Sequence, residues 1–134
     1  MNDRPTGVEL LRAVERFLEQ EVVPGLDGPR RYHARVAANV VAMVAREIET
    51  EEAQLQSEWE RLGALLGLRE ERPALRGALR EAVRERSQAL AARIRRGDAD
   101  HGTWRDDLIG HLRRTVADKL AVSKPPRVTR EESA

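Results

Sequence analysis

No cysteine occurs in the 134 residues, so neither a disulfide nor a thiolate metal site can form, and a reducing cytoplasm is compatible with the chain. Aromatic residues make up only 3% of it, which leaves Leu, Val, Ala and Ile to build the core and suits helix packing better than a sheet sandwich. Lysine is nearly missing: of 24 basic residues only Lys119 and Lys124 are not arginine. An excess of Arg and Ala reflects a GC-rich genome more readily than a need for guanidinium chemistry. No apolar run approaches the roughly 18 to 20 residues needed to cross a bilayer. The opening MNDRPTGVE also lacks the basic-then-apolar order of a signal peptide. A cytoplasmic protein with no membrane partner is expected. Equally missing are a glycine-rich phosphate loop, a GxSxG elbow, an HExxH pair, an EF-hand loop and a CxxC pair. The sequence therefore leans against an enzyme and implies no cofactor, while leaving room for a site assembled from distant residues.

Apolar residues at helical spacing run through most of the chain, and strand-like alternation and internal repeats do not occur. The length suits a single helical domain over 1–124, followed by a disordered tail, 125–134. The expected fold is all-α, a bundle of five or six helices with 30–50 as the central helix. Thr6 and Glu9 form a T-x-x-E capping box, so a first helix starts near Gly7, with Leu10, Leu11, Val14, Phe17, Leu18 and Val22 on one face. Pro24-Gly25 and Gly28-Pro29 end it. In the central helix the stripe Val36, Val40, Val44 and Ile48, with Met43 beside it, is the face to be buried. A bend near Thr50 separates it from a second helix over 51–66, closed by Gly67. Pro73 suits the first turn of a helix reaching Gly97, which is one helix or two meeting near Ser87. The loop 97–102 precedes a final helix, capped by Thr103 with Asp106 and burying Leu108, Ile109, Leu112, Val116 and Leu120.

Charge is unevenly distributed. Residues 1–67 carry 8 basic and 12 acidic side chains, and residues 68–134 carry 16 and 11. Attraction between the halves of one fold accounts for this more simply than an external partner. The same holds for Arg72, Arg76, Arg80 and Arg84, whose like charges stack along one helix flank. The acidic segment 47–60 can relieve their repulsion. Interleaved glutamates, the lack of aromatics and a pI of about 8.3 argue against nucleic acid.

Five polar residues are candidates for a site. His33 precedes the valine stripe and should point toward the core or its edge, most simply as a packed, hydrogen-bonded histidine. Arg35 and Asn39, one turn apart, suit neighbouring carbonyls or, alternatively, a small anion. His111 follows Asp107 by one turn, a spacing that could orient a metal ligand, but no Glu-x-x-His motif of a di-iron bundle is present. Lys119 lies in the apolar stripe of the last helix, where its stem can lie along the surface with the ammonium in water. If His33, Arg35, Asn39, His111 and Lys119 converge, they form a polar pocket for a small molecule.

The segments DRPTGVELLRAVERFLEQEVVP, YHARVAANVVAMVAREIE and HLRRTVADKLAVSKP resemble, in order, a family of small uncharacterised bacterial proteins. Its pattern is D-R-P-x-x-x-E-L-L-x-A-V-x-x-F-L, then F/Y-H-x-R-V-A-x-N, then H-L-x-x-T-V-x-x-K-L. Asp3, Arg4, Pro5, Tyr32, His33, Arg35, Asn39, His111, Thr115 and Lys119 match it. The chain departs from the family's N-P-R-Y-like ending by reading S-K-P-P-R-V. Members of that family occur beside or joined to phosphotransferase-like proteins similar to aminoglycoside kinases, and near acyl-CoA dehydrogenases. The resemblance thus implies a non-enzymatic accessory or interaction module for such a partner, with no catalytic assignment. Apolar residues left exposed on the helices can equally serve as a dimer seam.

Overall fold

The computed structural model describes residues 3–125. They contain four α-helices and no strand: α1 (Gly7–Phe17), α2 (Gly28–Leu66), α3 (Arg76–Arg95) and α4 (Thr103–Ser123). A π-helical turn at Leu18–Val22 and a 3₁₀ turn at Val23–Gly25 follow α1. The chain divides into two compact units, Met1–Glu51 and Glu52–Ala134. Apart from Pro125, the expected disordered tail lies outside the described residues.

In the first unit, α1 begins as the capping box requires. The Thr6 hydroxyl accepts from Glu9 N at 3.2 Å, and Thr6 N donates to Glu9 Oε2 at 2.7 Å. Removing the hydroxyl with Thr6→Ala should cost about 1 kcal/mol and fray the first turn, read as faster amide exchange at Gly7–Leu11. Arg12 fastens α1 to α2, donating to Glu49 at 3.0 Å and to Glu15 at 2.8 Å.

The buried face of α2 in this unit is not the expected one. Ala34, Ala38, Ala42 and Ala45 are buried, whereas Val36, Val40, Val44 and Ile48 are 40%, 52%, 39% and 47% exposed. On a helix of 3.6 residues per turn the two stripes point about 135° apart. Both have helical spacing, and among the described residues the unit holds one other α-helix, α1, so one flank is buried and the other stays in solvent. Val23, which follows α1 and is itself buried, shares a small cleft with Ala38 of the buried flank. Along α1 and the π-helical turn after it the apolar face splits in the same way, with Leu11, Leu18 and Val22 half-buried and Leu10, Val14 and Phe17 exposed.

Five or six helices were expected, and the described residues hold four, because the expected break near Thr50 does not occur and the region 73–96 takes the one-helix alternative. Thr50 lies inside α2, its hydroxyl folded back onto the Arg46 carbonyl at 2.8 Å, so the helix passes through without a bend-forming Gly or Pro. Region 73–96 is likewise one helix. It starts at Arg76 rather than at Pro73, with Leu75 as its extended N-cap.

The second unit holds the larger core. Leu62 and Leu65 of α2, Leu79, Val83 and Leu90 of α3, and Leu108 of α4 form one buried cluster, with Leu55, Trp59, Leu66, Ala99 and Trp104 against it. α2 ends as Gly67 predicts. Gly67 adopts φ +68°, which an L-residue rarely takes, and Leu68 N returns to the Gly63 carbonyl at 2.9 Å. The last-turn carbonyl of Leu65, which has no helical partner, accepts from Trp104 Nε1 at 2.9 Å and Arg93 Nη1 at 3.1 Å. Side chains from α3 and α4 thus complete the end of α2. α4 is capped by Gly102, and Thr103 is its first residue rather than its cap.

Candidate functional site

The packed face of α4 is half polar. Leu108 and His111 are buried, and Trp104, Thr115, Asp118 and Val122 are half-buried, a 3.6-residue stripe turned toward the interior of the second unit. The expected apolar stripe lies beside it, with Leu112, Val116 and Leu120 44%, 55% and 49% exposed. What determines the choice is Arg61 of α2. Its Nη1 donates to Ser57 Oγ at 2.7 Å, its Nε to His111 Nδ1 at 3.4 Å and its Nη2 to Thr115 Oγ1 at 3.5 Å, and it pairs with Asp118 at 3.5 Å. Gln54 adds a bond from its amide to the Asp118 carbonyl at 3.2 Å. A guanidinium partly withdrawn from water needs acceptors around it, and the polar side of α4 supplies them.

His111 is the chemical centre of this seam. Burial, and next to it the positive charge of Arg61, hold its pKa below the ordinary histidine value. The ring is therefore neutral at neutral pH, and because Nδ1 accepts from Arg61 the network assigns the proton to Nε2. Among the described residues Nε2 has no hydrogen-bond partner, yet no buried side-chain polar atom is left unsatisfied, so Nε2 keeps access to solvent. Beside it lies a cleft of about 520 Å³ lined by Arg61, Leu65, Trp104, Asp106, Asp107 and His111, among others. Arg61 and the Trp104 indole spend their donors within the protein. A ligand would thus meet an apolar wall, the imidazole N–H and two aspartates. Such a wall suits a cationic or neutral molecule better than an anion. Among the described residues no three of His, Asp and Glu gather as a metal-binding group.

The lowered pKa of His111 fixes the sign of a pH effect. Between the folded-state pKa and about 6.5 the unfolded chain binds more protons than the folded one. Stability should be fully present above that window and fall as the pH drops through it, by no more than about 1.4 kcal/mol per pH unit. Urea midpoints compared at pH 7.5 and pH 5.5 should show the loss, and His111→Gln should flatten it.

The five expected site residues are divided between the units. In the first, Arg35 and Asn39 share a small cleft of about 300 Å³ with Glu19, Val23 and Ala38, and the carboxylate of Glu19 there disfavours the anion considered for this pair. His33 is exposed with its ring beside Tyr32, centroids 5.7 Å apart, rather than directed at the core. It follows the valine face, and that face is not the buried one. In the second unit His111 lines its cleft, while Lys119 is exposed and does not line it.

Sequence reasoning missed Arg61, Arg86 and Arg93. Arg86 is 5% exposed, stacks 4.0 Å over the Trp59 ring, and donates to the Trp59 carbonyl at 2.9 Å and to Glu70 at 3.2 Å. Arg93 lies 4.2 Å over Trp104 and pairs with Asp98 at 2.9 Å. The signal was present: Arg86 sits seven residues after Leu79 and four before Leu90, inside the apolar stripe of α3. The expectation that the acidic segment takes up the arginine row holds for Arg72, paired with Glu60 at 3.4 Å, and for Arg76, paired with Glu52 at 3.6 Å. Arg84 pairs instead with Glu81 of its own helix.

A family model, a domain of unknown function, matches residues 24–126. The chain belongs to the DUF6285 family. The DUF6285 match takes in α2, α3 and α4, hence the whole Arg61–His111 seam and all five expected site residues, while α1 precedes it. No curated protein and no solved structure matches the chain.

Proposed function

We propose that this DUF6285 protein is a non-enzymatic helical interaction module, an accessory to a separate phosphotransferase-like or acyl-CoA-metabolising enzyme. The observation that carries this reading is the outward placement of apolar stripes. Leu10, Val14 and Phe17 on α1, Val36, Val40, Val44 and Ile48 on α2, and Leu112, Val116 and Leu120 on α4 all keep more than a third of their surface in water. Single exposed apolar residues are ordinary, but rows of them at helical spacing mark surfaces that bind something. The choice of enzyme rests on the resemblance of the three sequence segments alone.

The test mixes the purified protein with the purified phosphotransferase-like and acyl-CoA dehydrogenase enzymes of its own genomic neighbourhood. One of them should bind, and Val116→Asp on α4 should weaken that binding at least tenfold. If neither enzyme binds, and both work equally well without the protein, the reading fails.

A second reading is favoured by the cleft beside His111. Its volume falls within the range of small-molecule sites, and a buried histidine with an unpartnered N–H lines it. In that case a thermal-shift screen of amines and neutral metabolites should find a ligand whose stabilisation disappears in His111→Gln. A screen without any His111-dependent shift ends it.

A further inference from the structure

The stripe Val36, Val40, Val44 and Ile48 advances by a constant four residues, forming one continuous ridge on the solvent side of α2. Ridges of this kind pack into the matching grooves of another helix. The ends of the ridge differ in charge. On an ideal helix Arg30 and His33 lie on the same face just before it, and the exposed Glu47 lies on that face at its far end. Basic residues thus open the exposed face and an acidic residue closes it.

We propose that this face is covered by a second copy of the chain, packed antiparallel about a two-fold axis midway between Val40 and Val44. Such an axis sets Val36 opposite Ile48 and Val40 opposite Val44 of the partner copy. It also brings the Arg30 and His33 end of each copy against the Glu47 end of the other. A parallel pair would set like charges together at both ends. Antiparallel pairing makes the face its own complement, as a two-fold interface requires. His33 then has a role that a core histidine would not have, donating to a carboxylate of the neighbouring copy. The inference rests on the reading of the protein as an interaction module and names the occupant of one of its surfaces, leaving the α4 stripe to the enzyme. A contact made by one helix from each copy belongs to the smaller, reversible class of interfaces.

Light scattering on the full chain over a concentration series up to about 1 mM should show the mass rising from 15.1 kDa toward twice that value. Added salt should shift the rise to higher concentration. Val40→Asp, at an exposed position, should hold the mass at 15.1 kDa with unchanged helical circular dichroism. Orientation is read with single cysteines, which the natural chain lacks. A short bis-maleimide should join Val36→Cys chains to Ile48→Cys chains but not Val36→Cys chains to each other. In the antiparallel pair two copies of position 36 lie about 18 Å apart along the axis. If Val40→Asp lost its helical signal, the cross-linking pattern would still decide the question. A monomer throughout the series, a dimer unaffected by Val40→Asp, or preferential joining of position 36 to itself each overturns the inference. A monomer that still binds its enzyme overturns the dimer and leaves the accessory role standing. A dimer with the expected cross-link and no enzyme bound does the reverse.

Discussion

Replacing Arg86 by alanine should destabilise the second unit by about 3 kcal/mol. Three losses add up. A charged hydrogen bond to the Trp59 carbonyl contributes about 1.5–3 kcal/mol. The guanidinium stacked 4.0 Å over the Trp59 ring contributes about 1–2 kcal/mol in so desolvated a place. Truncation also leaves a cavity among Leu79, Val83 and Leu90, helix neighbours that are themselves buried. Against these stands relief from burying a charge, which lowers the total. The pair with Glu70 adds little, since that carboxylate is 71% exposed. Arg86→Met should be far milder, under about 1.5 kcal/mol, because it refills the volume and the Trp59 carbonyl keeps its helical bond. Urea unfolding followed by circular dichroism measures both. If alanine and methionine cost the same, the polar contacts of Arg86 outweigh its packing.

Gly63→Ala should also destabilise, by about 2 kcal/mol, although glycine to alanine inside a helix ordinarily stabilises by about 1 kcal/mol. The sign reverses because a Cβ at position 63 would stand 2.7 Å from Arg86 Nη1. That separation is too short for carbon and nitrogen, and moving the guanidinium aside would break its hydrogen bond to the Trp59 carbonyl and its stacking on the Trp59 ring. Glycine is required here by close approach, since Gly63 lies within α2. The two substitutions are therefore coupled. With Arg86 already replaced by alanine, Gly63→Ala should stabilise, so a double-mutant cycle should show an interaction of about 3 kcal/mol. Additive effects would mean that Arg86 moves aside freely.

Much of the secondary structure was legible because its causes are local. The Thr6 and Glu9 box, the Gly67 and Gly97 stops and the Gly- and Pro-rich connection after α1 depend on side chains within a few residues of the backbone they shape. Of the α3 stripe that the spacing predicts, Leu75, Leu79, Ala82, Val83, Leu90 and Ile94, only the middle was readable: Leu79, Val83 and Leu90 are buried, while Leu75 and Ile94 at the ends are exposed. The expected break near Thr50 misled for the opposite reason. Acidic composition after Glu47 and a threonine at position 50 resemble an end of helix, but neither removes a backbone hydrogen bond.

The candidate site was legible only in part. His111 stood out as one of three histidines, but its partner Arg61 read as an isolated charge in an acidic stretch. Nothing local distinguishes an arginine that will be surrounded by Ser57, His111, Thr115 and Asp118 from one left in water. Its acceptors lie on α4, some fifty positions along the chain.

The sequence by itself determined that the chain is helical, where most helices start and stop, and that each carries an apolar stripe. Which stripe is buried was decided only by the tertiary structure. Periodicity is a property of one helix, whereas burial depends on which neighbour can approach. In α2 the alanine stripe is buried and the more hydrophobic valine stripe is left outward. In α4 the polar side turns inward because Arg61 must be satisfied there.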